Sequence, residues 1–277
     1  MNDALFISKL KLTCQLSIID NRSVSEEILR ELMSISNSSK VKTRISIVLG
    51  EIENVKISEL TFNQCFRLVK KRDCSDRILE EAYKYWKGRH GEDHELIQEI
   101  GRHSNTPTRI LSELIVDWDN WRIRQAAAGN PNTLTADLEV CLKNDDDTDV
   151  LLTAVCNPST PIEAIVALSM HEDPDRRWVA ASSPNLPAVE LDRLVDDESG
   201  DVYEQAIENP NLAIETKVWI VYSGKFEDTN SFLVEDDIEN LIKKNPEMRS
   251  RVEELKAMVE LGVRPAIESI NLDGIDI

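Results

Sequence analysis

A group of histidines and carboxylates with the spacing of metal ligands lies near the middle of the chain. His90 and His94 are four residues apart, and Asp93 and His103 are close in sequence. Imidazole and carboxylate groups can bind zinc at such a spacing. Gly91 weakens the helix that would align the two histidines, and no cysteine joins them. We therefore interpret the group as a polar loop and expect no metal.

A run of carboxylates between Asp145 and Asp149 has the residue types of a calcium-binding loop. It lacks the glycine and the distal glutamate of an EF-hand loop, so we interpret it as a solvated turn before a helix. The sequence also contains no glycine-rich phosphate loop and no serine nucleophile elbow. Cys141 falls among regularly spaced leucines, which is typical of a core residue. These observations predict a non-enzymatic protein without catalytic residues or a cofactor.

The elements that position these residues are predicted by a repeat in the second half of the chain. Asn-Pro pairs recur there, with Ser183-Pro184 in place of one, and the steps between the prolines are 27, 26 and 26 residues. A period of this size is typical of stacked helical repeats. A small residue precedes each proline by four positions, and a mostly apolar residue follows it by seven. The asparagines are Asn130, Asn157 and Asn209, the small residues are Ala127, Ala154, Ala180 and Ala206, and the following residues are Leu138, Ile165, Leu191 and Lys217.

Each recurring position has a physical reason. Proline lacks an N–H donor and clashes with a preceding helical turn, so the first helix of each unit must end near it. We expect Thr133 and Thr160 to cap the second helix, and Pro161 and Pro187 to suit its first turn. The acidic turns between units place negative charge at the next helix N-terminus, where the macrodipole favours it.

These motifs resemble the leucine-rich repeat variant family, whose units combine an acidic turn, Val-Arg, two small residues, Asn-Pro-x-Thr-Pro and spaced leucines. Asn157-Pro158-Ser159-Thr160-Pro161 matches this pattern almost completely, and Ile123-Arg124 matches it in another unit. The resemblance covers residues 93–225 and implies a right-handed superhelix in which an α-helix alternates with a shorter, often 3₁₀, helix. Family members with an iron–sulfur cluster carry clustered N-terminal cysteines. The cysteines here are scattered, so we expect no cluster; they are Cys14, Cys65, Cys74, Cys141 and Cys156.

We therefore predict an all-α protein, a right-handed α-solenoid of stacked helix pairs of the α/3₁₀ type. Degenerate repeats occupy residues 1–90, the solenoid 91–225, and capping helices 226–262. Residues 263–277 form a loose tail unless their apolar residues dock on a surface.

Several segments of the first part have helical patterns. Ser23 and Glu26 are spaced as a capping box, and residues 58–70 and 75–86 also predict helices. The apolar pattern of residues 41–49 fits either a helix or a strand.

Charge is distributed unevenly along the chain. The formal net charge is −19, with +4 in residues 1–90 and −23 in residues 91–277. An acidic repeat half after a mildly basic head, which includes Lys70-Lys71-Arg72, suggests two surfaces with different partners. The alternative is that the acidity only keeps the protein soluble.

The sequence also indicates a compartment. No apolar run approaches membrane-spanning length. An odd number of cysteines without regular spacing is typical of free thiols in a reducing environment. We expect a cytoplasmic protein that does not contact a membrane.

One position of the first helix suggests a binding surface. The residue six positions before each proline lies about 130° around the first helix from the centre of the packed face. Leu152 and Trp178 occupy that position on adjacent units, and exposed apolar neighbours suggest a binding patch. The alternative is that the twist between repeats buries this position.

Two arginines lie seven residues before a repeat proline, at a position on the packed face of the first helix. Arg124 and Arg177 could pair with Asp119 or Asp173 in the preceding turns, or they could contact an acidic ligand. The structural pairing is favoured, since an arginine near a packed face needs a fixed partner.

The predicted function is a protein-interaction scaffold whose partner has a basic surface. Leu152 and Trp178 would anchor the partner, and Asp146, Asp173 and Asp197 would steer it. A nucleic-acid-binding or DNA-repair-like protein is one alternative, with Trp86, Trp118, Trp121 and Trp178 as stacking groups, but the charge of −23 in the repeat half would repel phosphates. An acidic inhibitor or decoy of a basic or nucleic-acid-binding protein is the other alternative.

Overall fold

Helices form all the regular secondary structure that the computed structural model shows in its described residues. These are residues 3–8, 10–19, 24–49, 56–88, 93–117, 119–224 and 230–267, and no strand occurs among them. The all-α class is therefore confirmed, and the segment that also allowed a strand is a helix. The chain divides into two compact units, residues 1–137 and 138–277. The boundaries predicted from the repeat, at residues 90, 225 and 262, stay predictions.

Helices of the first unit follow one another with short connections. Near the N-terminus, buried aliphatic side chains from the first four described helices form one core cluster. The elements are α1 (Asp3–Ser8), α2 (Leu12–Ile19), α3 (Glu26–Ile35), α4 (Ser39–Leu49), a 3₁₀ turn (Ile57–Glu59), α5 (Phe62–Val69), α6 (Asp76–Trp86), α7 (Asp93–Arg102), α8 (Thr108–Leu114) and α9 (Trp121–Ala128).

Helices joined by short connections also make up the second unit, and the division between the units falls inside helix α10. The last two helices of the second unit are longer than the helices before them. The elements are α10 (Thr135–Asn144), α11 (Thr148–Val155), α12 (Ile162–Ser169), α13 (Pro174–Ala181), α14 (Ala188–Leu194), α15 (Gly200–Glu208), α16 (Ile214–Tyr222), α17 (Asn230–Lys244) and α18 (Met248–Glu260).

Two predicted helix starts move because a different residue provides the cap. Ser25 is the N-cap of α3, and its hydroxyl accepts from the Ile28 N–H, so the predicted capping box with Glu26 does not form. Glu26 is the first helical residue, two positions before the N3 position that this role requires. The helix predicted over residues 58–70 begins later, because Thr61 and Gln64 form a capping box that starts α5.

The helices that follow each Asn-Pro turn are α-helices rather than 3₁₀ helices. Helices α10, α12, α14 and α16 contain 10, 8, 7 and 9 residues. A 3₁₀ helix rarely exceeds four residues, whereas these lengths allow several i→i+4 hydrogen bonds. The α/3₁₀ alternation implied by the family resemblance is therefore wrong in the described residues.

Packing within each unit repeats. In the first unit α7 packs against α5 and α9, and α8 packs against α9. In the second unit α13 packs against α11 and α15, and α12 packs against both α13 and α14. The recurring alanines lie in these contacts: Ala127, Ala154, Ala180 and Ala206 are all fully buried. A larger side chain there would separate neighbouring helices.

One polar side chain closes each described repeat turn, and it is buried in all of these turns except the first. It accepts a hydrogen bond from the backbone N–H two residues further along, at 2.9–3.2 Å. This bond satisfies a donor that the helix end leaves without a partner. The residues at this position are His103, Asn130, Asn157, Ser183 and Asn209.

The same side chains also bind the end of the preceding first helix. Asn130 Nδ2 donates to the carbonyl oxygens of Gly101 and His103 at 2.7 and 2.9 Å. Asn209 Nδ2 donates likewise to Ala181 and Ser183 at 2.6 and 2.8 Å. Helix ends expose carbonyl groups without intrahelical partners, so these bonds join consecutive repeats through backbone atoms.

His103 performs the asparagine's role at the start of the series. Its Nδ1 accepts from the Asn105 N–H at 3.0 Å, and its Nε2 lies 2.7 Å from the carbonyl oxygen of Lys71. A carbonyl oxygen can only accept, so Nε2 carries the proton of a neutral ring. Both nitrogens are therefore engaged within the fold. The contact links the α7–α8 turn to the turn that follows α5.

The threonines two residues after the repeat prolines do not cap the second helix. The hydroxyls of Thr133 and Thr160 donate to the carbonyl oxygens of Ala127 and Ala154 at 2.5 and 2.6 Å, so they close the preceding helix. Pro161 takes the N-cap position of the next helix instead. Leu186 and Leu212 occupy the equivalent threonine position in later units and are buried there.

The residues after α18 are partly fixed to the second unit. Gly262 ends that helix with a φ of 75°, a left-handed conformation that favours glycine. The Arg264 guanidinium then binds the carboxylate of Asp192 at 2.8 Å and also pairs with Asp196. Arg264 is therefore held against the second unit. The loose tail predicted for residues 263–277 stays a prediction, and residues 268–277 lie outside the described part of the chain.

Replacing Asn209 with alanine should lower the free energy of unfolding by about 1–3 kcal/mol, because two buried carbonyl oxygens lose their donor. Urea denaturation of the full chain measures this difference. Asn185 is exposed in the equivalent turn of the preceding repeat and provides the matched control. Asn185→Ala should change stability by no more than about 0.5 kcal/mol. Equal losses in both variants would show that the inter-repeat bonds contribute nothing specific.

Candidate functional site

Arg177 forms a buried ion pair in the second unit. Its Nε and Nη2 donate to the two carboxylate oxygens of Asp197 at 2.8 and 2.9 Å. Its Nη1 donates to the carbonyl oxygens of His171 and Glu172 at 3.0 and 2.9 Å. The paired side chains are only 9% and 6% exposed. The guanidinium therefore holds the turn before α13 to the turn before α15.

The environment of this pair shifts the pKa of its carboxyl group. Burial of Asp197 tends to raise its pKa, but hydrogen bonds from Arg177 and from the Ser199 N–H outweigh burial and hold the pKa below its ordinary value. The ionised form is thus favoured in the folded protein.

The predicted structural role of the arginines is confirmed for Arg177, but the carboxylate it binds belongs to the following turn rather than to Asp173. Asp173 is the N-cap of α13 and accepts from the Asp175 N–H at 3.0 Å. Arg124 is also buried, and its Nη1 donates to the carbonyl oxygen of Asp117 at 3.1 Å. The side chains of Arg124, Arg177 and Asp197 are therefore engaged within the fold.

A second arginine contact was missed by the sequence analysis. Arg176 donates to the carbonyl oxygens of Leu142 and Asp145 at 2.9 and 2.8 Å and pairs with Asp146 at 3.2 Å. Arg176 lies eight residues before Pro184, a position that the helical pattern places on the packed face. That pattern would have predicted this contact. The Asp146 side chain remains 97% exposed despite the pair.

Trp178 lines a groove on the exposed sides of α13 and α15. The groove has a volume of about 440 Å³, and four carboxylates share its lining with the indole. None of the described residues that line it is cationic. Trp178 and Leu152 are each partly buried, so packing covers this column only in part. Leu152 does not line the groove. The acidic lining residues are Asp175, Asp201, Glu204 and Glu208.

The groove has the chemistry of a cation site. An aromatic face attracts a Lys or Arg head group, and carboxylates within a few ångströms add Coulomb attraction. Asp175 and Asp201 lie in the first turns of α13 and α15, where the helix dipole stabilises their negative charge. The arrangement can therefore bind a positively charged side chain.

The other tryptophans have different surroundings. Trp86 is partly buried and packs edge-on against Phe62, with ring centroids 5.5 Å apart. Trp121 is covered by the Arg122 guanidinium, 4.5 Å from its centroid. Trp118 lies outside the described residues. Trp86 and Trp121 thus each have a ring contact with a neighbouring side chain of the first unit.

The groups considered for metal and thiol chemistry do not assemble in the described residues. No three His, Cys, Asp or Glu side chains of that part of the chain converge as a metal site requires. His94 is exposed, while His90 and the side chain of Asp93 lie outside the description. Cys141 is buried in the core, as predicted. Burial raises the pKa of Cys65 and Cys74 to about 12, which disfavours their reactive thiolate forms.

No protein family, curated protein or solved structure was found to match this chain. None of the helices that the structure describes is both long and apolar enough to cross a membrane.

Replacing Asp197 with asparagine should lower the free energy of unfolding near neutral pH by roughly 3 kcal/mol, since the buried Arg177 charge loses its carboxylate. The contribution of this carboxylate is present above the ordinary Asp pKa of about 3.9 and is lost as the pH falls through the lower folded pKa. The stabilities of the wild type and the variant should therefore converge once the pH lies below the folded pKa of Asp197. Urea denaturation at a series of pH values measures this convergence.

The matched control is Glu198, which lies 3.7 Å from the same guanidinium but is 91% exposed. Glu198→Gln should cost at most about 0.5 kcal/mol. A pH-independent difference between wild type and Asp197→Asn would contradict the assigned shift.

Proposed function

We propose that this protein is a non-enzymatic scaffold that binds a basic protein segment through the groove at Trp178. The groove is the observation that carries the proposal, because it combines an accessible indole with four carboxylates and, among the described residues of its lining, no cation. Such a site favours an arginine or lysine side chain of the partner over an acidic or phosphorylated one.

We further propose that the repeats form a right-handed α-solenoid of stacked α-helix pairs. Within each unit, consecutive first helices pack side by side and the turns are joined by the buried polar side chains. This regularity supports a stack, and the handedness rests on the family resemblance alone. A solenoid would present equivalent grooves between successive first helices as a series of binding positions.

Exposed carboxylates around the groove would act mainly on the rate of association. Asp146 and Asp173 are exposed in turns of the same unit. Together with the net charge of −19, they would attract a basic partner over a distance limited by salt screening. Affinity would come from the partly buried indole, as is common for tryptophan at protein interfaces. Leu152 would extend the apolar contact on the neighbouring repeat.

The acidic inhibitor or decoy is compatible with the same groove, since it too would bind a basic protein. The two proposals differ in consequence rather than in contact, because a decoy abolishes the activity of its partner and a scaffold does not. Nucleic-acid binding by the groove is disfavoured, because four carboxylates would repel phosphates.

Trp178→Ala should weaken binding of a labelled arginine- and lysine-rich peptide by about 2 kcal/mol, roughly thirtyfold in Kd, because the groove loses its aromatic wall. Fluorescence anisotropy of the peptide with the full chain measures the affinity. Trp121→Ala removes a tryptophan outside the groove and should leave Kd unchanged within about twofold. Melting curves check that both variants fold.

A charge comparison separates specific binding from general attraction. Glu204→Gln/Glu208→Gln removes two groove carboxylates, and Glu139→Gln/Glu163→Gln removes two exposed carboxylates elsewhere in the second unit. The first pair should weaken peptide binding at least about fivefold more than the second. Equal effects would mean that only the net charge attracts the peptide, and the groove would have no specific role.

A further inference from the structure

A cleft in the first unit concentrates positive charge in a protein that is otherwise strongly acidic. It has a volume of about 660 Å³ and lies between residues 24–30, residues 48–49 and the end of α5 with the turn that follows it. Five cationic side chains line it, against the two carboxylates of Glu26 and Asp73. The cationic residues are Arg30, Arg67, Lys70, Lys71 and Arg72.

The fold fixes part of this charge before any ligand arrives. Arg67 Nη2 donates to the carbonyl oxygen of Val24 at 2.9 Å, which ties the end of α5 to the segment before α3. The backbone of Lys71 is held in turn by the His103 ring. The cations of the 67–73 segment are therefore attached to an anchored backbone, which lowers the entropic cost of gathering them around an anion.

The electrostatics of the cleft favour a multiply charged anion. The Lys70 and Arg72 side chains are exposed, and neither forms an ion pair with another described residue. Glu26, which lies 4.0 Å from Arg30, and Asp73 together offset only two of the five positive charges. The first turn of α3, which includes Glu26, also lines the cleft, and the dipole of a helix places partial positive charge at that end.

We propose that this cleft binds a small phosphorylated molecule through its phosphate groups. Guanidinium and ammonium groups together are the donors that recognise phosphate in proteins. The volume falls in the range of about 300–1,000 Å³ that is usual for small-molecule sites. A long nucleic acid would need a continuous cationic path, and the net charge of −19 would repel the part beyond the cleft. The proposal is independent of the groove at Trp178, which lies in the other unit.

Inorganic pyrophosphate is the first probe, titrated calorimetrically into the full chain at about 50 mM and about 300 mM salt. Pyrophosphate should bind at the lower salt concentration, more tightly than inorganic phosphate, and weaken as salt is added. Lys70→Gln/Arg72→Gln should reduce the affinity at least about tenfold. Both side chains are exposed, so the variant should melt as the wild type does; if it does not fold, Arg72→Gln alone replaces it.

The matched control removes the same number of charges from the same unit. Lys42 and Arg102 are exposed and lie outside the cleft, so Lys42→Gln/Arg102→Gln should bind pyrophosphate within about twofold of the wild type. Three results would overturn the proposal. They are no binding of pyrophosphate at low salt, equal weakening in the two double variants, and an affinity for single-stranded oligonucleotides that exceeds that for pyrophosphate and rises with their length.

Discussion

One polar side chain of the repeat turn, at His103, Asn130, Ser183 and Asn209, bonds to backbone groups in its own repeat and in the repeat before it. Asn130 and Asn209 each use their carbonyl oxygen within the turn and their amide nitrogen across to the preceding helix end. An amide can do both at once because it carries an acceptor and two donors. A helix end packed against a neighbour cannot rely on water for these bonds, so the register of consecutive repeats depends on this contact.

Other residues at that position show which property is required. His103 supplies one acceptor and one donor from opposite sides of its ring and makes the equivalent bonds. Ser183 uses its hydroxyl to donate to the carbonyl oxygen of Val155 and to accept from the Asn185 N–H. The common requirement is therefore a donor and an acceptor within one short side chain. Two residues after the proline, some repeats have threonine and others leucine. This position requires only a side chain that packs in the core or that hydrogen-bonds within its own repeat.

Hydrogen bonds within the fold also affect which charged groups lie at the surface. The guanidinium groups of Arg176 and Arg177 bind turns of their own unit, and neither residue lines the groove beside Trp178. The acidic first turns of α13 and α15 remain exposed there because they stabilise the helix ends without needing a cation. In the first unit the end of α5 presents cations to a cleft instead. The uneven charge of the chain thus becomes two sites of opposite sign, one in each unit.

The sequence by itself determined the helical class, the positions of the repeat turns and the buried alanine column, since proline, small residues and apolar spacing act through local geometry. It did not determine which carboxylate Arg177 binds, that Thr133 closes a helix rather than capping one, or that Trp178 and four carboxylates share a groove. The Arg177 pair and the groove join residues about one repeat apart. The Thr133 contact reverses the local preference of threonine for the helix N-cap. Only the packing of neighbouring helices brings such groups within hydrogen-bonding distance, so the tertiary structure decided them.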